Sequence, residues 1–279
     1  MSAIAGQLVR DVLLRDGSTL RLRAPTPDDC EAIKAFYDAL SPESRYMRFH
    51  GYGRTDAAAR EYAEADGVDR VALIGRHGER VVAAAGYDRL REPGVAEVAF
   101  AVADELHGRG TATRMLEQLA EIGGERGIDR FEAEVMSDNR AMLHVFRSAG
   151  FGIQRKSAFG EVTVSLDIRP TEAVRERIEA RDHAGAVASL RPILAPSSVA
   201  VVGADEGLGE AVLANLVDGG FRGVVTPVAR SGGVVSSMRA AASLAELPAP
   251  AELVVIAVGG DEALEAARAA SHIGHYWTL

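Results

Sequence analysis

Residues 102–112 read Val102-Ala103-Asp104-Glu105-Leu106-His107-Gly108-Arg109-Gly110-Thr111-Ala112, the end of an apolar strand passing through a glycine turn into a helix. Glycines let the backbone approach a ligand closely, and the first amides of a helix have no intrahelical acceptor, so they present partial positive charge. Such a turn suits an anion of the size of a pyrophosphate. The turn has no Walker lysine, and the strands before it predict a meander rather than a βαβ unit, which argues against an ordinary dinucleotide site.

Working outward, the runs Val71–Gly75, Val81–Tyr87 and Val95–Ala103 are separated by Gly- and Pro-containing breakers and predict antiparallel strands. On the other side, Ala112, Met115, Leu116, Leu119 and Ile122 recur at helical spacing, with Gly123-Gly124 weakening the end. Earlier in the chain, Leu8–Leu22 predicts a hairpin closed by Asp16-Gly17, and Thr26-Pro27-Asp28-Asp29 opens a helix carrying Ile33, Phe36, Tyr37 and Leu40. Arg45–Phe49 reads as loop and Thr55–Ala65 as a second helix. Phe131–Met136 predicts a strand, Asn139–Ala149 a helix stopped by Gly150, and Val162–Ile168 a last strand.

Residues 1–170 thus form one expected domain. Residues 171–190, rich in Arg, Glu and Ala with sparse apolar positions, read as a helical linker. Residues 191–279 start a second unit: Val199-Ala200-Val201-Val202-Gly203 is a continuous apolar run of a strand buried on both faces. Gly203, Gly207 and Gly209 lead into the helix Glu210–Asp218. Strands Val224–Val228 and Leu253–Val258 and a helix Asp261–Ala270 follow, a βαβ order that implies a parallel sheet. The tail His275-Tyr276-Trp277-Thr278-Leu279 adds none of the further strands a full doubly wound sheet would carry.

The 279 residues are 47% apolar and 25% charged, which excludes a disordered or fibrous chain. The 31 Lys+Arg against 40 Asp+Glu leave a net charge of −9, which argues against bulk nucleic-acid binding. Cys30 stands alone, Met1–Gln7 lacks the basic and apolar regions of a leader, and no apolar run approaches the roughly 20 residues of a membrane span, so a cytoplasmic address is expected. The histidines lack ligand spacing, and no metal is expected.

In Ala96-Glu97-Val98-Ala99-Phe100-Ala101-Val102, Glu97 is the one charged residue of an apolar strand, on the face it shares with Ala99 and Ala101. Burial would raise its pKa, as a general base near neutrality requires, and small neighbours leave room for a substrate arm. The other reading of Glu97 is a salt bridge to Arg89 or Arg130.

The hexapeptide His107-Gly108-Arg109-Gly110-Thr111-Ala112 resembles motif A of the GNAT N-acetyltransferases, Arg/Gln-x-x-Gly-x-Gly/Ala, with His107 at its first position, and Asn139–Phe151 resembles the family's motif B. The pattern covers residues 17–168. The resemblance implies an α/β fold, a GNAT mixed sheet with flanking helices, followed here by a partial Rossmann-like parallel α/β unit. It implies acetyl-CoA, as co-substrate, in a cleft where strand Val95–Ala103 splays from Phe131–Met136. Main-chain groups of Phe100, Ala101 and Val102 would hold the pantetheine and thioester. Amides of Gly108, Arg109, Gly110, Thr111 and Ala112 would hold the pyrophosphate, with His107 able to hydrogen-bond a phosphate. Asn139 matches a cofactor-contacting position and equally reads as a helix N-cap, with Ser137 and Asp138 as rival caps. Phe146 occupies the cofactor-side position where many members carry a tyrosine that protonates the leaving thiolate, which leaves water for that step. His144 reads as a surface or packing residue. Glu97 matches the glutamate base of the protein-lysine branch.

Ser198–Ala204, Gly219–Gly223 and Val225–Val228 resemble the start of the CoA-binding domain of ADP-forming acyl-CoA synthetases, and the pairing resembles bacterial protein lysine acetyltransferases that modify such synthetases. The implied activity is transfer of acetyl from acetyl-CoA to a protein lysine, possible acceptors including an acyl-CoA synthetase, with Glu97 as base. The alternatives are a small-molecule amine acceptor and a non-catalytic CoA or nucleotide sensor; the second unit reads as a sensor or a remnant.

Overall fold

The computed structural model describes residues 9–49, 51, 54–158, 161–271 and 275–278; the segment read for a leader lies outside them. The chain divides into two compact units, Met1–Ala186 and Val187–Leu279. No helix among the described residues is long and apolar enough to cross a membrane.

The first unit is built on eight strands: β1 (Val9–Leu13), β2 (Thr19–Arg23), β3 (Arg70–His77), β4 (Arg80–Arg89), β5 (Val95–Val102), β6 (Arg130–Met136), β7 (Gly152–Ala158) and β8 (Glu161–Asp167). They form one sheet in the order β1-β2-β3-β4-β5-β6-β8-β7. Every pairing is antiparallel except β5 with β6, which run parallel. A parallel neighbour needs a long crossover, and α4 (Thr111–Glu125) supplies it. Only Val95↔Arg130, Ala96↔Phe131 and Glu97↔Glu132 are in register, after which β5 and β6 part. This divergence opens the unit's cleft.

The remaining helices are α1 (Cys30–Ala39), α2 (Pro42–Phe49), α3 (Thr55–Ala63), α5 (Arg140–Ala149) and α6 (Glu172–Leu194). Thr26 and Asp29 cap the entry to α1 reciprocally, as their spacing predicts. The apolar face of α1, through Ile33, Phe36 and Tyr37, joins that of α4, through Met115, Leu116, Leu119 and Ile122, in one buried core with Phe131 and the inner residues of β3 and β4. Gly123 does not end α4. It is buried where a Cβ would stand 3.2 Å from the Phe131 ring and 3.3 Å from Ile168, so its small size permits close helix–sheet packing.

Two further local expectations change. Arg45–Phe49 is helical rather than loop: Ser41 Oγ accepts the Ser44 amide at 3.2 Å, and Pro42 fills the first helical position. Strand β7, not anticipated, pairs antiparallel with β8.

The connector is one 23-residue helix, α6, whose first half packs on the first unit through Val174 and Ile178 and through a set of ion pairs. Arg114 of α4 bonds Asp182 at 2.8 Å and Glu117 at 3.1 Å, and Arg181 pairs with Glu117. Arg181 also donates to the carbonyls of Ser148 and Ala149 at the end of α5, at 3.1 and 3.2 Å. A helix docked in part by ions shows little apolar periodicity, which is why its sequence reads as a linker.

In the second unit, β9 (Ser198–Val202), α7 (Gly207–Asp218), β10 (Val224–Val228), the short strands β11 (Val234–Val235) and β12 (Met238–Arg239), β13 (Leu253–Ile256), α8 (Gly260–Ala270) and β14 (His275–Thr278) follow in order. The main sheet runs β10-β9-β13-β14, parallel throughout. The tail is therefore a fourth strand of this sheet, a correction to the sequence reading. Val199 and Val201 of β9 pack with Leu213 of α7, and Ala200 and Val202 with Ala266 and Ala270 of α8, so both faces are covered. Gly209 is required where α7 closes on β9: a Cβ there would stand 1.9 Å from the Gly203 carbonyl oxygen.

Candidate active site between two parting strands

The cleft of the first unit has a volume of about 800 Å³ and is walled by α2, the free edge of β5, the glycine turn, β6 and α5. It brings together Glu97, Phe100, Ala101, Val102, His107, Gly108, Gly110, Thr111, Ala112, Asn139 and Phe146. Arg109 is the exception among the expected residues. Its guanidinium pairs with Asp16 at 2.8 Å, and its carbonyl accepts the Arg15 amide at 3.0 Å, so it ties the turn to the first hairpin.

Gly110 caps α4 in the left-handed region at φ 89°, a conformation that glycine adopts without a Cβ penalty. The first turn of α4 carries no acidic residue, and no acceptor in the described chain receives the amides of Gly108, Gly110, Thr111 or Ala112. These amides, with the helix dipole behind them, fit a diphosphate. A Cβ built on Gly108 or Gly110 meets nothing within 4 Å, so the space before the turn is open.

From Val98 onward β5 has no in-register partner in β6, which leaves main-chain groups of Phe100–Val102 facing the cleft, where an extended amide-bearing arm could pair with them. His107 Nε2 lies 3.1 Å from the Val102 carbonyl, so one ring nitrogen is engaged with the strand end. Phe146 is 1% exposed and meets Phe100 edge-on at 6.2 Å between ring centroids, a rigid apolar wall. Among the described residues no tyrosine lines the cleft. Asn139 is the N-cap of α5, its Oδ1 accepting the Met142 amide at 3.0 Å, and it lines the cleft as well.

Glu97 lies on the same face as Ala99 and Ala101 but is exposed, not buried as the alternation in β5 predicts. Its pKa is nevertheless raised: the protein that does surround it removes hydration, and Glu134, Asp88 and Glu132 add repulsion that Arg48 only partly offsets. Arg89 pairs instead with Asp69 at 3.1 Å, and Arg130 with Glu92 at 2.7 Å, so the salt-bridge reading of Glu97 is not realised.

Sequence reasoning missed the contribution of α2, whose Ser44, Met47 and Arg48 line the cleft. Asp104, just after β5, anchors this helix. It accepts the Ser41 amide at 3.0 Å and the hydroxyls of Ser41 at 2.8 Å and Ser44 at 2.5 Å. Partial burial opposes the Asp104 charge, but these hydrogen bonds outweigh it and hold the pKa at about 2. The pattern Ser41-Pro42-Glu43 was the available signal of a helix start. His144 of α5 is exposed, as a surface residue is expected to be, and also lines the cleft. Among the described residues no group of three or more His, Cys, Asp or Glu side chains could hold a metal ion.

Residues 19–152 match the family model of the acetyltransferase (GNAT) domain. The crystal structure of the GNAT domain of S. lividans PAT is 38% identical, with a TM-score of 0.54, over 57% of this chain and 96% of that domain. The acetyltransferase Pat of Mycolicibacterium smegmatis is 30% identical over 167 residues, 58% of this chain and 50% of that protein. An acetyltransferase of Pseudomonas aeruginosa is 28% identical over 150 residues, 51% of this chain and 80% of that protein. The chain thus spans about half the length of the Mycolicibacterium relative.

Proposed function

The chain belongs to the GNAT acetyltransferases, and from that membership we propose that it transfers the acetyl group of acetyl-CoA to a lysine side chain of a protein, in the cytoplasm. The observation that carries this reading is the shared cleft. Unpaired amides of Gly108, Gly110, Thr111 and Ala112 stand at one end and the carboxylate of Glu97 at the other, joined by the free edge of β5.

In this reading the turn amides fix the diphosphate, and an N–H of Phe100–Val102 polarises the thioester carbonyl. A lysine amine has a pKa of about 10.4, so it arrives protonated and must lose a proton before it attacks. Glu97 accepts that proton, the neutral amine attacks and the C–N bond forms, the C–S bond breaks, and the second proton, still on the new amide nitrogen, passes through water to the CoA thiolate. The raised pKa of Glu97 makes it a stronger base than an ordinary carboxylate. Its exposure suits an acceptor nitrogen carried on a long side chain of a macromolecule.

The second unit takes no diphosphate in this reading. Asp205, Glu206 and Glu210 crowd the start of α7 and would repel a phosphate, whereas the first turn of α4 carries no acid. An acyl-CoA synthetase is the proposed protein acceptor, from the likeness of residues 198–228 to that class. Labelled acetyl-CoA incubated with the purified chain and such a synthetase tests the proposal. Label on lysine supports it; label on small amines alone, or on nothing, overturns it.

A further inference from the structure

Arg48 of α2 lines the cleft on the Glu97 side, and no step of the proposed reaction uses it. It is part-buried, and among the described residues no carboxylate lies within salt-bridge distance of it. Apart from Arg45, which donates to the Asp38 carbonyl, the other part-buried arginines of this unit have a carboxylate partner. Arg23 pairs with Asp29, Arg89 with Asp69 and Arg181 with Glu117. A cation withdrawn from water without a counter-ion is unfavourable, so its retention points to an anion that arrives from outside.

The seat of Arg48 is built. Its guanidinium carbon lies 5.1 Å from the Phe49 ring centroid and 6.0 Å from that of Tyr62. Such aromatic faces attract the cation without neutralising it. Its Nη2 donates to the Tyr62 hydroxyl at 3.4 Å, the Tyr37 hydroxyl also faces the guanidinium, and Nε is buried without a partner. Tyr62 in turn donates to the Ala99 carbonyl of β5 at 3.4 Å. Its ring lies on Gly86 of β4, where an added Cβ would stand 3.2 Å from Cζ and 3.3 Å from the hydroxyl oxygen. Tyr37 packs edge-on against both Phe49 and Tyr62. The guanidinium is therefore held in place before any ligand binds, which lowers the cost of binding one.

Arg15 and Arg140 also line the cleft, but Arg15 adjoins the glycine turn and Arg140 opens α5, at the end assigned to the cofactor. Arg48 alone of these three stands beside Ala99, on the acceptor side of the β5 edge.

We propose that the guanidinium of Arg48 receives a carboxylate of the acceptor, so that the preferred substrate is an amine with an acidic group close by: a lysine flanked by an acidic residue. This rests on the assignment of the Glu97 end of the cleft to the acceptor. An arginine fork matches a carboxylate in geometry and in charge. With Arg48 neutralised by the acceptor, Glu97 also loses the one nearby positive charge that weakens it as a base.

The test compares lysine peptides that differ only in a flanking glutamate or glutamine, and Nα-acetyl-lysine with its amide, using the 279-residue chain and its Arg48→Met and Arg48→Lys variants. The wild type should favour the glutamate peptide by about tenfold in kcat/KM, the scale of one hydrogen bond to a charged group. Arg48→Met should bring the ratio near one, and Arg48→Lys, which keeps the charge without the fork, should restore part of it. Discrimination confined to Nα-acetyl-lysine over its amide would support the carboxylate seat and place its source in a free carboxylate. Equal rates in the wild type, or a preference that survives Arg48→Met, would overturn the assignment. If only small amines are acetylated, the protein-lysine reading fails, and the same carboxylate-against-amide comparison on those amines decides the role of Arg48 separately.

Discussion

Glu97 of β5 and Glu132 of β6 form the last in-register pair before the two strands separate. The candidate base therefore stands at the point where the sheet becomes a cleft, with a second carboxylate on the neighbouring strand. Like charges this close resist ionisation together, which is part of the reason Glu97 is harder to deprotonate than a free glutamate.

Replacing Glu97 by Gln keeps shape and removes the base. Turnover should fall by roughly 10²–10⁴-fold, the usual contribution of a general base. Acetyl-CoA affinity, measured by calorimetry, should stay within about twofold, a difference well under 1 kcal/mol. A variant that turns over like the wild type would remove Glu97 from the chemistry.

The pH dependence follows from the raised pKa of Glu97. A base works only when deprotonated, so kcat/KM should rise with pH through that pKa. Hydration lost to the surrounding protein is the largest cause of the elevation, and Glu134 is the next. Glu134→Gln removes a repelling charge, lowers the Glu97 pKa and should move the acidic limb of the profile to lower pH. A shift in the opposite direction would contradict this coupling.

Gly110→Ala probes the turn. The new methyl has open space before it, so its effect is conformational: a φ of 89° costs an L-residue about 1–2 kcal/mol. Relaxation of the turn misaligns the amides, and KM for acetyl-CoA should rise by roughly tenfold. An unchanged KM would mean that the turn does not hold the cofactor.

Asp104 anchors α2 through Ser41 and Ser44 and has a folded-state pKa of about 2, below the unfolded value of about 3.9. Its stabilisation is present above the unfolded pKa and is lost as pH falls from about 4 to about 2. Asp104→Asn should therefore lower thermal stability at pH 7 by about 1 kcal/mol, allowing for solvent screening at this exposed carboxylate. Melting curves of the two proteins should converge as pH is lowered to about 2.

Much of this was legible from local pattern. The meander, the α4 helix and the glycine turn follow from periodicity and glycine placement, and most residues expected in the cleft meet there. What pattern could not show was what covers each residue from elsewhere in the chain. The apolar neighbours of Glu97 in β5 predict burial, but the side chain is exposed. Arg48 escaped notice because Arg45-Tyr46-Met47-Arg48-Phe49 reads as a charged loop; the aromatic seat that gives Arg48 its character comes largely from Tyr62, fourteen residues on. The docking of α6 was hidden for a related reason, since Arg181 and Asp182 find their partners on α4.

A crystal structure of the chain with acetyl-CoA bound tests the central claim most directly. The account predicts the diphosphate within hydrogen-bonding distance of the amides of Gly108, Gly110, Thr111 and Ala112, with the thioester between Phe100 and Glu97. Acetyl-CoA bound instead at the Gly207 turn of the second unit, or with its diphosphate away from the start of α4, would contradict it.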